Sequence, residues 1–443
     1  MKVDFLLDNA LAYALKNGAE QCELFVSQGE TRRVVWGERE LKDVGIAINL
    51  GFSVRLLKNG ALGFSYGSML SKESLHKAID SALLACDFLE PEPYFALTPP
   101  GEKYATLPVR SFEDISEKQE QDFVLDLEAR ALEGRNIAKV DKATLASVRG
   151  STFLKNSLGL DLQYATGYYS CSLLAVAESG GETETGGDFM ACPGFSALNP
   201  QLVAETAAFN AANKLGAVSV PGGNYPVVLH SDAVLDLLSV ILPGFLGDNI
   251  RKGQSMLKGK QGQLIANPDI SLYDDGLMPG AIASSPFDDQ GRACRKNVLL
   301  DHGRVESFLY DNVAAAKAGT KSTGSGFAAS THSLPVTGFT NYYLAPGKRS
   351  LNSLLQEVNN GLYIRDFMGL HMANAVSGEF SLGISGNVIR NGCLGESFRG
   401  NMAAGNVFTL LENVIGVGSE LRFYGYRGAP PLLVETLAVS GKD

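Results

Sequence analysis

Gly369-Leu-His-Met-Ala-Asn-Ala-Val-Ser-Gly-Glu-Phe-Ser-Leu-Gly-Ile-Ser-Gly386 joins a glycine-bounded turn carrying a lone histidine to a run of alternating polar and apolar residues. Alternation with period two belongs to a strand with one face packed inward and the other open. Glu379 to Gly386 is therefore expected to be a strand that lines a cavity, and the segment has the character of a site more than of a core. The turn before it sets His371, Asn374 and Ser377 close to Glu379 in sequence. Asn and Ser routinely cap their own backbone in turns, so loop capping is the plain reading of these side chains.

Around this segment, residues 221–443 read as one large strand-rich unit, opened by the strand Gly222-Gly-Asn-Tyr-Pro-Val-Val-Leu-His230. Upstream, residues 1–90 predict an α+β unit. Asp4 to Lys16 has apolar residues at helical spacing, with Asn17-Gly18 as its stop. Cys22 to Val26, Thr31 to Trp36 and Val44 to Leu57 are rich in β-branched and aromatic residues, and Lys58-Asn59-Gly60 signals a hairpin into Ala61 to Tyr66. Lys72 to Cys86 reads as an amphipathic helix. Residues 91–109 are proline-rich and predict an extended connector.

A second α+β unit spans 110–220. It has a charged helix from Ser116 to Leu132 after a Ser111/Asp114 cap region, hairpin strands from Val140 to Ala177, and an Ala-rich helix from Pro200 to Leu215. Gly180-Gly-Glu-Thr-Glu-Thr-Gly-Gly187 reads as a flexible, solvated loop. The expected class is α+β, an N-terminal α/β lobe of mixed or antiparallel sheet with helices, followed by the strand-rich C-terminal domain. The first two units are expected to pack as one lobe.

With 443 residues the chain can bury a sizeable core. A net charge of −10 argues against a surface that tracks phosphates, so no nucleic-acid partner is expected. Even the most apolar run, Ala233 to Leu246, is interrupted by Asp236, Ser239 and Pro243, so no membrane helix is expected. The acidic N-terminus does not read as a signal peptide. Six scattered cysteines without a C-x-x-C pair read as reduced, buried thiols of a cytoplasmic protein.

Gly63-Phe-Ser-Tyr-Gly67 matches a nucleophile-elbow pattern, but its neighbours read as an antiparallel meander and not as a parallel hydrolase sheet. Gly253 to Lys260 has the wrong glycine spacing for a phosphate loop and Gln261 where Ser or Thr should stand. Asp274-Asp275 and Asp288-Asp289 lack an EF-type spacing and are expected to form turns. The five histidines, His76, His230, His302, His332 and His371, include no pair one helical turn apart. A metal site would need separate strands to meet, for instance His371 with Glu379 and His230.

Three segments together resemble the TldD/PmbA family, historically labelled modulators of DNA gyrase. They are Gly369 to Gly386, Leu299-Leu-Asp-His-Gly-Arg-Val-Glu-Ser-Phe-Leu-Tyr310 and Thr337-Gly-Phe-Thr-Asn-Tyr-Tyr-Leu-Ala-Pro-Gly347. Gly51 to Arg55 with Gly60 to Gly63 is similar to the family's first domain. The resemblance implies a zinc peptidase built from paired related subunits. TldD-type subunits carry His-Glu-x-x-x-His on the helix after the Pro-Val-Val-Leu strand. When Gly253 and Ser255 are set on the family's glycine and serine, Leu238, Ser239 and Pro243 occupy those positions. Leu and Pro have no donor atom for zinc, and Ser cannot serve as the general base.

A family cysteine ligand expected near Val417-Gly418 is also missing, and Cys393 lies in a different turn. Leu370-His371 through Gly386 is similar to the signature of the TldE (PmbA) branch, with Ala375 where the family often has Pro. By resemblance the chain binds no cofactor itself. It pairs with a zinc-bearing, TldD-like paralogue to enclose a chamber for unfolded peptides, catalysing nothing alone and self-associating as a homodimer in isolation. His371, Asn374, Ser377 and Glu379 would then meet the peptide or the partner. The competing readings are a freestanding hydrolase using Ser65 or Cys393, and a protein-binding modulator of gyrase.

Overall fold

The computed structural model describes residues 3–108 and 113–441. Helix α1 (Val3–Lys16) leads into the antiparallel strands β1 (Gln21–Gly37), β2 (Glu40–Lys58) and β3 (Ala61–Gly67), followed by α2 (Lys72–Cys86). Beyond the proline-rich segment come α3 (Glu117–Leu132), β4 (Ile137–Asn156), β5 (Asp161–Ser179), β6 (Glu182–Cys192) and α4 (Pro200–Ala212). The six strands form one sheet in the order β3-β2-β1-β4-β5-β6, so both N-terminal segments share it through the β1–β4 pairing. Ser116 starts α3 with a capping box closed by Gln119. Ser111, expected in the cap region, lies outside the described residues, as do residues 109 and 110 at the expected unit boundary.

One face of this sheet is covered by helices at its two ends. Cys22, Leu24 and Val26 pack with α1 and α2, while Val34 and Leu145 pack with α3 and α4. The opposite face carries Glu23, Phe25 and Arg55. Phe25 packs on Phe287 of the C-terminal part, and Arg55 pairs with Glu23 at 2.6 Å with both side chains only 2% exposed. Arg55 also donates to the Asp289 carbonyl. The connector clamps the same loop: Thr98 Oγ1 donates to Gln290 O at 2.6 Å and Arg292 pairs with Glu102 at 2.7 Å.

The C-terminal part begins with β7 (Gly223–Leu229), α5 (Ser231–Ile241), a 3-10 turn (Leu242–Phe245) and α6 (Gly247–Lys252). Then come β8 (Leu272–Asp275), β9 (Lys296–Asp301), β10 (Arg304–Val305), α7 (Asn312–Ala318), β11 (Gly326–Phe327), β12 (Val336–Thr337) and β13 (Tyr342–Leu344). The remainder is α8 (Leu351–Val358), β14 (Gly361–Met368), β15 (Glu379–Arg390), β16 (Cys393–Asn406), α9 (Val407–Glu412), β17 (Val414–Val417), β18 (Arg422–Tyr424), β19 (Arg427–Ala429) and β20 (Leu432–Ser440). One sheet runs β10-β9-β8-β13-β19-β18 and another β16-β15-β14-β7-β20-β17. The latter closes on itself, because Met402 to Ala404 of β16 also pair with the far end of β20. The main core fills the space between this closed sheet, α5 and α9, and α8 covers its other face through Leu354 and Leu355 on Val228, Tyr363 and Leu433. The architecture is α+β with a strand-rich C-terminal part. Among the described residues no helix is long and apolar enough to cross a membrane.

Two expectations are corrected. Gly180 to Gly187 is not a solvated loop: Gly180 and Gly181, both at positive φ, turn the chain into β6, which pairs with β5 from Glu182 onward. Its acids are not left to water either, since Glu182 and Glu184 both pair with Arg399. Asp274 and Asp275 lie on β8, and Asp274 is buried, accepting from the Thr340 N–H and hydroxyl. Asp288 does organise a turn, accepting from the N–H groups of Gln290, Arg292 and Gly326. Burial pushes its carboxyl up to about 7 against those donors.

Candidate functional site

Glu379 to Gly386 is the strand its alternation predicts, with Phe380, Leu382 and Ile384 buried and Glu379 and Ser381 exposed. Ser385 and Gly386 line a cleft of about 550 Å³ between the closed sheet and the helix–strand layer of α4 and β6. That volume falls in the range of ligand pockets. Its floor comes from Arg365 to Met368 of β14 and Ser397 to Gly400 of β16, its far wall from Glu184, Asn210, Asn213 and Lys214, and Asp232 of α5 closes one side.

The polar groups in the cleft hold the two layers together. Arg365 donates to Asn210 Oδ1 at 2.6 Å and lies over the Phe209 and Tyr363 rings. Asn213 and Asn387 exchange amide hydrogen bonds of 2.9 and 2.8 Å. Ser385 donates to Asp366 at 3.0 Å. Beside the cleft, Asp188 of β6 takes the Arg422 guanidinium at 2.6 Å, and Arg422 lies over the Tyr424 ring. Burial raises the Asp188 carboxyl, opposed by that guanidinium.

Gly386 is required by close approach. A β-carbon there would meet the Tyr363 carbonyl on β14, which is backbone and cannot swing away. Gly386→Ala is expected to cost about 1–3 kcal/mol, read as a lower urea midpoint at unchanged slope.

Helix α5 supplies the second group. His230 caps it, accepting from the Asp232 N–H at Nδ1, and burial lowers its pKa. Asp236 accepts from the Phe367 N–H at 3.4 Å. Burial pushes its carboxyl up to about 6, with Asp232 and Asp366 adding repulsion. Because this folded value lies above the unfolded one near 4, the stability it contributes is complete below pH ~4 and disappears as pH rises through about 6. Asp236→Asn should flatten that loss by roughly 2 kcal/mol between pH 4 and 8, measured by chemical denaturation of both proteins across the range.

Along the same helix, Leu238 is buried in the core, Ser239 is exposed with its hydroxyl donating to the Asp236 carbonyl at 2.6 Å, and Pro243 sits in the 3-10 turn. The expected turn residues lie close by, on and after the short 3-10 turn Leu370–Met372 that packs beside α5. Asn374, Ser377 and Glu379 form one network. Asn374 Oδ1 accepts from the Val376 and Ser377 N–H groups, Ser377 Oγ accepts from the Glu379 N–H, and the Ser377 carbonyl accepts from Asn406. His371 stands apart on the exposed side. The turn also leaves Met372 and Val376 exposed, as are Met368 on β14 and Met402 on β16.

The separate-strand combination of His371, Glu379 and His230 is not assembled: among the described residues no three His, Cys, Asp or Glu side chains gather as a metal set. Ser65 lies within strand β3 and not on a strand-to-helix turn, and Cys393 opens β16 at an exposed hairpin. Sequence reading missed Asp188, Arg422 and Arg365, whose partners lie far along the chain, and Asp366, whose partner Ser385 is on the neighbouring strand. Asp236 offered a signal, an acid inside the apolar run of a helix.

Family models describe residues 22–86 as PmbA/TldA metallopeptidase domain 1, 110–215 as the central domain and 222–441 as the C-terminal domain. An uncharacterized protein of Methanocaldococcus jannaschii is 28% identical, covering 92% of this chain and 94% of its own. A "Metalloprotease TldD homolog" of Haemophilus influenzae is 25% identical over 89% of this chain and 84% of its own. The crystal structure of TldE from Thermococcus kodakarensis superposes with a TM-score of 0.91 at 25% identity, covering 98% of this chain and 100% of that one.

Proposed function

Because the chain belongs to the PmbA/TldD metallopeptidase family, we propose that it is the TldE/PmbA-like half of a cytoplasmic zinc peptidase, pairing with a TldD-like paralogue to enclose unfolded peptides. Identity does not separate the branches, since the TldD and TldE relatives are both 25% identical to it. The observation that carries the reading is the chemistry of α5. A zinc ion needs N, S or O ligands converging from one side, and a general base needs a group that takes a proton from metal-bound water. Leu238 is core hydrocarbon, Ser239 spends its proton on a backbone carbonyl, and Pro243 has no donor atom. These residues do not fit zinc.

What the chain contributes in this reading is surface. The exposed turn with His371, Met372 and Val376 packs beside α5, and a passing peptide would meet these side chains and not a free strand edge, because β15 is already paired with β14 and with β16 from Gly383 onward. Digestion of an unfolded peptide by the purified chain, alone and mixed with a TldD-type subunit, tests the proposal, with cleavage expected only in the mixture.

A further inference from the structure

The outer edge of β2 is free over half its length. β3 pairs only with Phe52 to Lys58, while β1 pairs with β2 all the way to Glu40. On Glu40 to Gly51 the outward N–H and C=O groups therefore meet no strand among the described residues. The helical layer is interrupted here too. The α1–α2 cluster reaches only as far as Leu50, and the α3–α4 cluster begins at Val34, the cross-strand neighbour of Val44. Ile46 and Ile48 lie in that gap, on the face of their neighbours Arg32 and Glu30, and are 57% and 76% exposed, with Val44 at 45%.

A long, flat, apolar edge invites pairing with another chain, and proteins that keep such an edge in water guard it with charge, proline or a bulge. Val44-Gly-Ile-Ala-Ile-Asn-Leu-Gly51 has no charge and no proline, and its register with β1 is unbroken. We propose that this edge pairs antiparallel with the same edge of a second copy of the chain, about a two-fold axis at Ala47.

The sequence is self-complementary in that register. Ile46 of one copy stands opposite Ile48 of the other, and Val44 opposite Leu50, so the aliphatic row continues across the axis and fills the gap in both helical layers. Asp43 stands opposite Gly51, so no like charges meet within the paired window. The window also ends where it must. At Phe52 β3 takes over the edge, and Thr331 crowds Gly51. By symmetry, residues 43–51 of each copy are what remains free. The result is a continuous sheet through both N-terminal lobes. The proposal concerns the chain by itself and does not rest on the subunit reading.

Sedimentation of the full chain at tens of micromolar, with two charge variants, tests it. The wild type is expected to be a dimer. I46K/I48K and I46E/I48E should each be monomeric, because like charges directly opposite oppose pairing, and an equimolar mixture of the two should recover a dimer. Both sites are exposed in the single chain, so each variant should fold, keeping the far-UV circular dichroism spectrum of the wild type and a cooperative unfolding transition. Ala47→Cys in a Cys393→Ser background should form a disulfide-linked dimer under mild oxidation, since facing residues on the axis lie within bridging distance. A monomeric wild type, a dimer that neither charge pair disturbs, or a failure of the Ala47→Cys variant to cross-link would overturn the proposal.

Discussion

Replacing Arg55 by methionine is expected to destabilise the protein by about 3–5 kcal/mol at neutral pH. Arg55 and Glu23 face each other on neighbouring strands, both 2% exposed. Removing the cation leaves the Glu23 carboxylate sealed in the face where the N-terminal sheet meets the Asp288–Arg292 loop. Its Oε2 already has no hydrogen-bond partner among the described residues. The same change removes the donor to the Asp289 carbonyl, so contact between the two parts of the molecule weakens with it.

Two controls separate an unpaired charge from lost packing. A Glu23→Leu/Arg55→Met double variant should recover most of the loss, because a buried pair replaced as a unit by apolar residues is often neutral. Acid should also relieve the single variant. Burial raises the pKa of Glu23, and Arg55 is its largest opposing influence, so without Arg55 the carboxyl protonates at still higher pH. The penalty of Arg55→Met is then present at high pH and shrinks as pH falls through that raised value. Urea midpoints at pH 5 and 8 check it, and a penalty that stays constant would mean that packing is what is lost.

The second large effect concerns activity. The chain alone is expected to leave an unfolded peptide intact, and a mixture with a TldD-type subunit to cleave it at least about 1,000-fold faster, which is the scale of losing a metal-activated water together with its base. The TldD-type subunit alone should also be inactive if the chamber needs both halves. Chelator-insensitive cleavage by this chain alone, abolished by Ser65→Ala or Cys393→Ser, would favour a freestanding hydrolase.

Much of the fold was legible in local pattern. The alternation of Phe380, Leu382 and Ile384 with polar residues announced β15, and Lys58-Asn59-Gly60 announced the turn between β2 and β3. What sequence concealed was made by distant partners. Ser27 to Glu30 is too polar and glycine-bearing to announce a strand between the two expected ones, yet β1 continues through it because β2 and β4 flank it on both sides and Glu30 is held by Arg149 at 2.7 Å. Glu182 to Gly187 looked solvated because Arg399, the cation that takes its acids, lies more than two hundred residues away.

The site divides in the same way. The turn of Asn374 and Ser377 was legible, because its hydrogen bonds are local. Asp188 with Arg422 and Arg365 with Asn210 were not, since only the packing of β6 and α4 on the C-terminal sheets brings them together.

The most direct measurement is bound zinc, quantified by mass spectrometry in the isolated chain and in the chain co-purified with a TldD-type subunit. The prediction is no zinc in the isolated chain and about one ion per pair in the complex. Stoichiometric zinc in the isolated chain would contradict it.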